Sequence, residues 1–219
     1  MAPREKAIWV HPFRNLPSRG DDVDLTFQEL DSSTWRDFER LFSRQGTPST
    51  CWCMYYQRPW SYEQEVKKYS VRKSAIPAHN KGRKRELVAQ GRSHGILVYA
   101  DGQPVGWCQY GPRDEAPRID RGRYYRMLGL KEEPEKVWRI TCFVVDRDFR
   151  KQGVASTALK AALASIEKQG GGVVEAYPVT SKKGGSQSMW FGTVGMFERE
   201  GFEPVGSLGS SLLMRKVVR

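Results

Sequence analysis

Apolar side chains crowd most densely between Val137 and Val145, in the run Val137-Trp138-Arg139-Ile140-Thr141-Cys142-Phe143-Val144-Val145. A nearly unbroken run of this length predicts a strand buried on both faces. Asp146, Arg147 and Asp148 end it. Ala155, Leu159, Ala162, Leu163 and Ile166 then fall at i, i+4, i+7, i+8 and i+11, one apolar stripe of an amphipathic helix. Gly170-Gly171-Gly172 stops that helix, and GVVEAYPV over 172–179 reads as the next strand. Upstream, Val23, Leu25 and Phe27 alternate with polar neighbours and predict a first strand. Trp35, Phe38, Leu41 and Phe42 share one face of a helix that follows the capping residues Asp31, Ser32 and Ser33.

The clearest hairpin joins a strand at Gly95–Ala100 to one at Val105–Tyr110 through Asp101-Gly102. Ser61-Tyr62-Glu63-Gln64 has capping-box spacing, with a break expected at Ile76-Pro77 and a stop at Gly91. Residues 111–136 carry charges, glycines and prolines and predict an irregular, functional or mobile connection, with a short helix near Tyr124–Leu128. Leu212–Val218 reads as a last strand. Strands alternating with helices, with no repeat or linker, predict a single α/β (α+β) domain over 22–219 after an extended N-terminal arm at 1–21.

Between the long apolar strand and its helix stands Arg150-Lys151-Gln152-Gly153-Val154-Ala155. Two cations and small residues at a helix start leave free backbone N–H groups at a positive helix end, which suits a phosphate or pyrophosphate. The pattern R-x-x-G-x-A after a buried strand resembles the acyl-CoA signature of the GNAT N-acetyltransferase superfamily. Two further stretches resemble that family: the hairpin with Val105-Gly106 opening its second strand, and Met196–Phe202 ending in Gly201-Phe202.

The resemblance implies a mixed, mostly antiparallel sheet, splayed between two parallel strands and flanked by helices. It implies acetyl-CoA as acyl donor, no metal, and direct acetyl transfer to a primary amine in a ternary complex. Phe143, Val144 and Val145 would meet the pantetheine arm. Arg150, Lys151, Gln152, Gly153, Val154, Ala155 and Ser156 would cradle the pyrophosphate. In many members a tyrosine donates a proton to the leaving thiolate; the matching position here is Phe197, which has no hydroxyl. Thr193 stands where an asparagine is common. Glu175, on the neighbouring strand, is the first candidate base, with His94 and Glu115 behind it. Tyr177 and Ser188 are candidate replacement acids. Trp52, Tyr55, Trp107, Gln109 and Arg113 are candidate acceptor contacts, because an aromatic loop often lines such a pocket, and the loop at 51–57 reads equally as one packed into the core.

Composition narrows the setting. No apolar run approaches the ~20 residues of a membrane span, and the first twenty residues lack a signal-peptide core. Cys51, Cys53, Cys108 and Cys142 lack a disulfide-rich spacing, so reduced thiols in the cytoplasm are expected. A Cys51-x-Cys53 pair with two distant single cysteines is poor zinc-site spacing. Cys142 as an acyl-carrying nucleophile is less expected than Cys142 as a small buried side chain. The net charge of +11 suits a polyanionic cofactor, and leaves nucleic acid as a lesser reading. The acceptor is a small-molecule or side-chain amine, with a protein or aminoacyl-tRNA amine as alternatives. A homodimer stays open. The rival from another class, motivated by Phe197, is an acyl-CoA-binding or regulatory module without turnover.

Overall fold

The computed structural model describes residues 24–59, 63–64, 67, 70, 72–130, 135–180 and 190–219. The N-terminal arm, part of the expected Ser61–Gln64 capping box, and Ser188 lie outside these residues.

Among the described residues seven strands form one sheet: β1 (Leu25–Glu29), β2 (His94–Ala100), β3 (Gln103–Pro112), β4 (Val137–Val145), β5 (Gly172–Ala176), β6 (Glu203–Ser207) and β7 (Leu212–Val218). The spatial order is β1-β2-β3-β4-β5-β7-β6. Every pairing is antiparallel except β4 with β5. The mostly antiparallel mixed sheet expected from the sequence is therefore present. The described helices are α1 (Trp35–Ser43), α2 (Pro48–Cys51), α3 (Ile76–Ala89), α4 (Pro117–Asp120), α5 (Arg123–Met127), α6 (Val154–Lys168) and α7 (Val194–Arg199).

Two apolar layers hold the sheet between them. On one face α6 lays Ala158, Leu159, Ala162 and Ile166 against Ile96, Val98, Cys108, Ile140 and Phe143. On the other, Trp35, Phe38, Leu41 and Phe42 of α1 pack with Trp52, Leu97, Trp107 and Val144. The N-terminus of α6 comes very close to β3. A Cβ added at Gly106 would lie 2.3 Å from a Val154 methyl carbon, so the Val105-Gly106 pair is what lets this helix start sit on the sheet.

At the break expected at Ile76-Pro77 a new helix, α3, begins after a 3-10 turn at Lys73–Ala75, and Pro77 stands near its start. It lies in the first turn of α3, where its fixed φ fits and its missing N–H costs nothing. The strand expected at 172–179 ends at Ala176, and only an isolated bridge, Val179 to Ser211, continues it. β6 carries Pro204 and Gly206 and exposes most of its residues, as an edge strand can.

Candidate functional site

β4 and β5 pair only from Val137↔Val173 to Ile140↔Ala176. Beyond that point β4 runs on through 141–145 with no β5 partner, so the two parallel strands splay apart. On its other edge β4 stays paired with β3, but Gln109↔Cys142 and Tyr110↔Ile140 leave Thr141 as an extra residue, a bulge at the vertex of the split. The direction of the backbone groups follows from the ladder. Asp146 N–H donates to Val105 O at 2.8 Å. Bonded pairs alternate in an antiparallel ladder, so Val144 and Cys142 bond to β3. Phe143 and Val145 therefore turn N–H and C=O into the open cleft. From Ile140 to Val145 the cleft follows roughly 17 Å of strand.

At its outer end the cleft meets the α6 start. Gly153 has φ +81°, and Lys151 also lies in the left-handed region at φ +64°. A Cβ at Gly153 would meet nothing within 4 Å. The glycine is thus favoured by its backbone angle, not by a neighbouring protein atom. Thr157 N–H returns to Gly153 O at 2.9 Å, which leaves the N–H groups of Val154, Ala155 and Ser156 in the unpartnered first turn. Arg150, Lys151, Gln152 and Gly153 are exposed and Ser156 is half-buried. Arg150 to Ser156 thus occupy the stretch between the end of β4 and the first turn of α6, with Val154 buried against Gly106.

At the inner end lies a row of charges across three strands. Arg139, Glu175 and Arg215 are register partners on β4, β5 and β7. Arg139 and Glu175 have fully buried side chains, joined Nε to Oε2 at 3.2 Å. Arg215 Nη2 donates to Glu175 Oε1 at 2.6 Å, and the hydroxyls of Tyr177 and Tyr125 donate to the same carboxylate at 2.6 and 2.9 Å. Arg139 also holds both oxygens of Asp120, at 2.7 and 2.9 Å. Burial would push Glu175 up, but the hydrogen bonds from Tyr177 and Arg215 and the Arg139 charge hold it below the usual carboxylate range. A carboxylate saturated with donors and kept ionised is a poor proton acceptor. Glu175, expected as the base, is instead the keystone of a buried ion-pair row. Tyr177 spends its hydroxyl on Glu175, and burial and the adjacent negative charge push it well up.

The expected acceptor contacts divide. Trp107 and Trp52 lie in the core beneath α1, at 0% and 4% exposure, not on a pocket wall. Tyr55 is exposed and carries Arg118 over its ring at 4.4 Å. Arg113 pairs with Asp120 at 2.8 Å. Gln109 is 4% exposed and lines a small recess beside Thr141, with Tyr110, Gly111, Pro112, Glu115, Ala116 and Arg139. Glu115 accepts from His94 Nδ1 at 2.7 Å, and this bond raises the His94 pKa against the opposing effect of burial. Phe197 is fully buried between Phe143 and Phe202.

A sequence model described as the acetyltransferase (GNAT) family matches residues 27–190. The chain belongs to that family. No curated protein matches the sequence. Among solved structures, a protein described as a GNAT-family acetyltransferase from Desulfovibrio desulfuricans is similar at 13% identity and TM-score 0.53, covering 89% of this chain and 99% of that one. A protein from Bacillus halodurans is similar at 13% identity and TM-score 0.50, covering 88% and 83%. The PaiA N-acetyltransferase of Thermoplasma acidophilum in complex with coenzyme A is similar at 12% identity and TM-score 0.48, covering 88% and 98%.

Two features of this GNAT chain are absent from the expectations above. The first is the thiol cluster: Cys53 Sγ lies 2.7 Å from Cys142 Sγ, and burial pushes the Cys53 and Cys108 thiols up. No set of three or more His, Cys, Asp or Glu side chains among the described residues is arranged to hold a metal. The second is Lys84. It is fully buried, its ammonium 2.9 Å from Gln57 Oε1 and 5.3 Å from the Trp107 ring centroid. The signal is a spacing of four: Ile76, Asn80, Lys84 and Val88 form the buried stripe of α3, two of them polar.

Burial lowers Lys84 from 10.5 to about 8. Between those values the unfolded chain binds more protons than the folded one, so stability rises with pH there and the full cost falls below about pH 8. At 1.36 kcal/mol per unit, that cost is about 3 kcal/mol at pH 7. Lys84→Met is expected to raise stability at pH 7 by up to this amount, with Ser93 Oγ still 3.1 Å from Gln57 Oε1. The gain should shrink toward zero near pH 10.5, checked by urea unfolding at both pH values.

Proposed function

We propose that this chain is an acetyl-CoA-dependent N-acetyltransferase that delivers an acetyl group to a primary amine by direct transfer in a ternary complex. The observation that carries the reading is the cleft between β4 and β5, continuous with the α6 start at Gly153. Its parts fit the cofactor. Phe143 and Val145 offer a line of backbone donors and acceptors to an amide-containing arm. The first turn of α6, flanked by exposed Arg150 and Lys151, offers N–H groups and positive potential to a pyrophosphate. Ser156 adds a hydroxyl within that turn.

Acetyl-CoA, when bound, supplies the thioester carbonyl. The chain's own work is placement: β4 orients the arm toward the Thr141 bulge, and the buried layers on both faces keep water from its inner end. Proton donation to the leaving sulfur has no free hydroxyl at Phe197 or Tyr177, and a thiol with a pKa of about 8.5 departs with little help. Ser188 remains the other proposed acid. The four unpaired cysteines suit a reducing compartment, which supports the cytoplasm.

The rival reading, a module that binds acyl-CoA without turnover, draws on the buried Phe197. One experiment separates the two. Acetyl-CoA at 100 times its dissociation constant is expected to add about 2.7 kcal/mol to stability. A thermal shift with thiol release against a panel of amines supports the transferase. A shift with no thiol release against any amine selects the module, and no shift at all removes both.

A further inference from the structure

We propose that Cys142 and Cys53 are a peroxide-reactive thiol pair that closes to a disulfide and pins the segment 51–57 to β4. The pair stands on its own geometry and does not depend on the transferase reading. The two cysteines are 89 residues apart in the chain, yet their sulfurs lie 2.7 Å apart. A sulfur–sulfur bond is ~2.05 Å long, so a movement of about 0.7 Å joins them. Their exposures differ in the way that sequential oxidation needs. Cys142 is half-buried, on the stretch of β4 beyond its last β5 partner, and Cys53 is 3% exposed. A small oxidant meets Cys142 first, and Cys53 is the second thiol within reach.

The backbone aims Cys53. Trp52 and Cys53 are consecutive residues at φ +49° and +51°, the left-handed region that side chains other than glycine rarely occupy. The turn holds because the Trp52 ring is packed by Phe38 and Phe42, and Met54 N–H donates to Cys51 O at 2.8 Å. A cation stands beside the pair. The buried Lys84 ammonium, 2.9 Å from Gln57 Oε1, opposes the rise that burial gives the Cys53 thiol. Thiol oxidation passes through a thiolate, and a neighbouring ammonium favours one. Cys108 packs on the other face of the sheet, with α6, and serves as an internal control. The segment also reaches from one parted strand to the other: Cys53 meets β4, and the Tyr56 ring lies 6.2 Å from that of Tyr177, the residue after β5.

The step balances with hydrogen peroxide as oxidant. Cys142 gives its proton to solvent, and its thiolate attacks the peroxide. An S–O bond forms, the O–O bond breaks, and the hydroxide that leaves takes a proton from solvent. Cys53 sulfur then attacks the sulfenic acid. The S–S bond forms, the S–O bond breaks, and the second hydroxide takes the Cys53 proton. Two thiols are oxidised and one peroxide becomes two waters. A dithiol reverses the bond by exchange, so in a reducing compartment it is transient.

The test treats the intact, reduced protein with equimolar hydrogen peroxide, alkylates the remaining thiols and maps the peptides by mass spectrometry. The expected product is one bond, Cys53 to Cys142, reversed by dithiothreitol, with Cys51 and Cys108 alkylated. Cys53→Ser is expected to halt at a Cys142 sulfenic acid that dimedone traps. Lys84→Met should form the bond about tenfold more slowly at pH 7. Hydrogen exchange of residues 53–56 should slow about tenfold in the oxidised chain. A bond from Cys53 to Cys51, a Cys142 sulfinic acid with no bond, or a bond that forms only in urea would overturn the pair. Unchanged exchange in the oxidised chain would overturn the pinning. The peptide map of the parent decides the pairing even where a variant fails to fold.

Discussion

Replacing Arg139 by methionine is expected to cost about 3–5 kcal/mol of folding stability, the usual penalty for breaking a buried pair on one side. Native domains hold only about 5–15 kcal/mol in all, so this variant should be close to unfolded at 37 °C. The side chain is fully buried and donates to Glu175, to both oxygens of Asp120, and to the carbonyls of Arg113 and Ala116. Removing it strands two backbone acceptors and part of two carboxylates. Glu175→Met alone should cost a similar amount, because it leaves Arg139 and Arg215 facing each other across β5 with one charge too few. The double variant should lose much less than the two single losses together, since a matched apolar pair replaces a matched ionic one and Asp120 keeps Arg113. Urea unfolding of the four chains gives the answer. Strictly additive losses would mean that the row is not one unit. The pH dependence has a definite sign: Glu175 and Asp120 are both held below the usual carboxylate range. Their contribution is present at neutral pH and disappears as pH falls through those lowered values.

That row also explains why the cleft opens where it does. β4 and β5 stay paired as far as Ile140↔Ala176, one residue past Arg139 and Glu175. The ion pairs clamp the strands at the vertex, and beyond it the bulged Thr141 and the early end of β5 let them part. The clamp was not legible in the sequence. Glu175 and Arg139 are single charges inside apolar runs, and only strand register shows that they are neighbours. The same reason hid the recess: Gln109, Thr141 and Glu115 come from three segments, and a chain pattern carries no information on which of them meet.

What the sequence did disclose was local. The run Val137–Val145, the hairpin turn at Asp101-Gly102 and the stripe on α6 each carry their own period, and each element formed where its pattern lies. β6 carries no such period and was missed, because an exposed edge strand buries little and tolerates Pro204. The aromatic residues misled in one respect. Trp52 and Trp107 look like pocket walls by composition, yet both serve the layer beneath α1, where Phe38 and Phe42 pack against them.

Gly153→Glu is expected to weaken acetyl-CoA binding by more than a hundredfold and to abolish its thermal shift. The fold should survive. A Cβ at this position meets nothing within 4 Å, so the added side chain has room, and only the left-handed φ of +81° costs stability, about 1–2 kcal/mol. The binding loss comes from charge and place. A carboxylate at the start of α6 satisfies the same first-turn N–H groups that a pyrophosphate would use, so the chain fills its own anion site. It also repels what remains of the ligand. Two unit charges 4 Å apart near a protein surface interact by about 4 kcal/mol, more than the 2.8 kcal/mol that a hundredfold represents. Gly153→Ala separates the causes, since it carries the backbone strain without the charge and should weaken binding by less than about tenfold, roughly 1.4 kcal/mol. Equal losses in both variants would assign the effect to backbone geometry. A full acetyl-CoA shift in Gly153→Glu would mean that the pyrophosphate does not sit at this loop, and the cleft would then have to hold the cofactor by its arm alone.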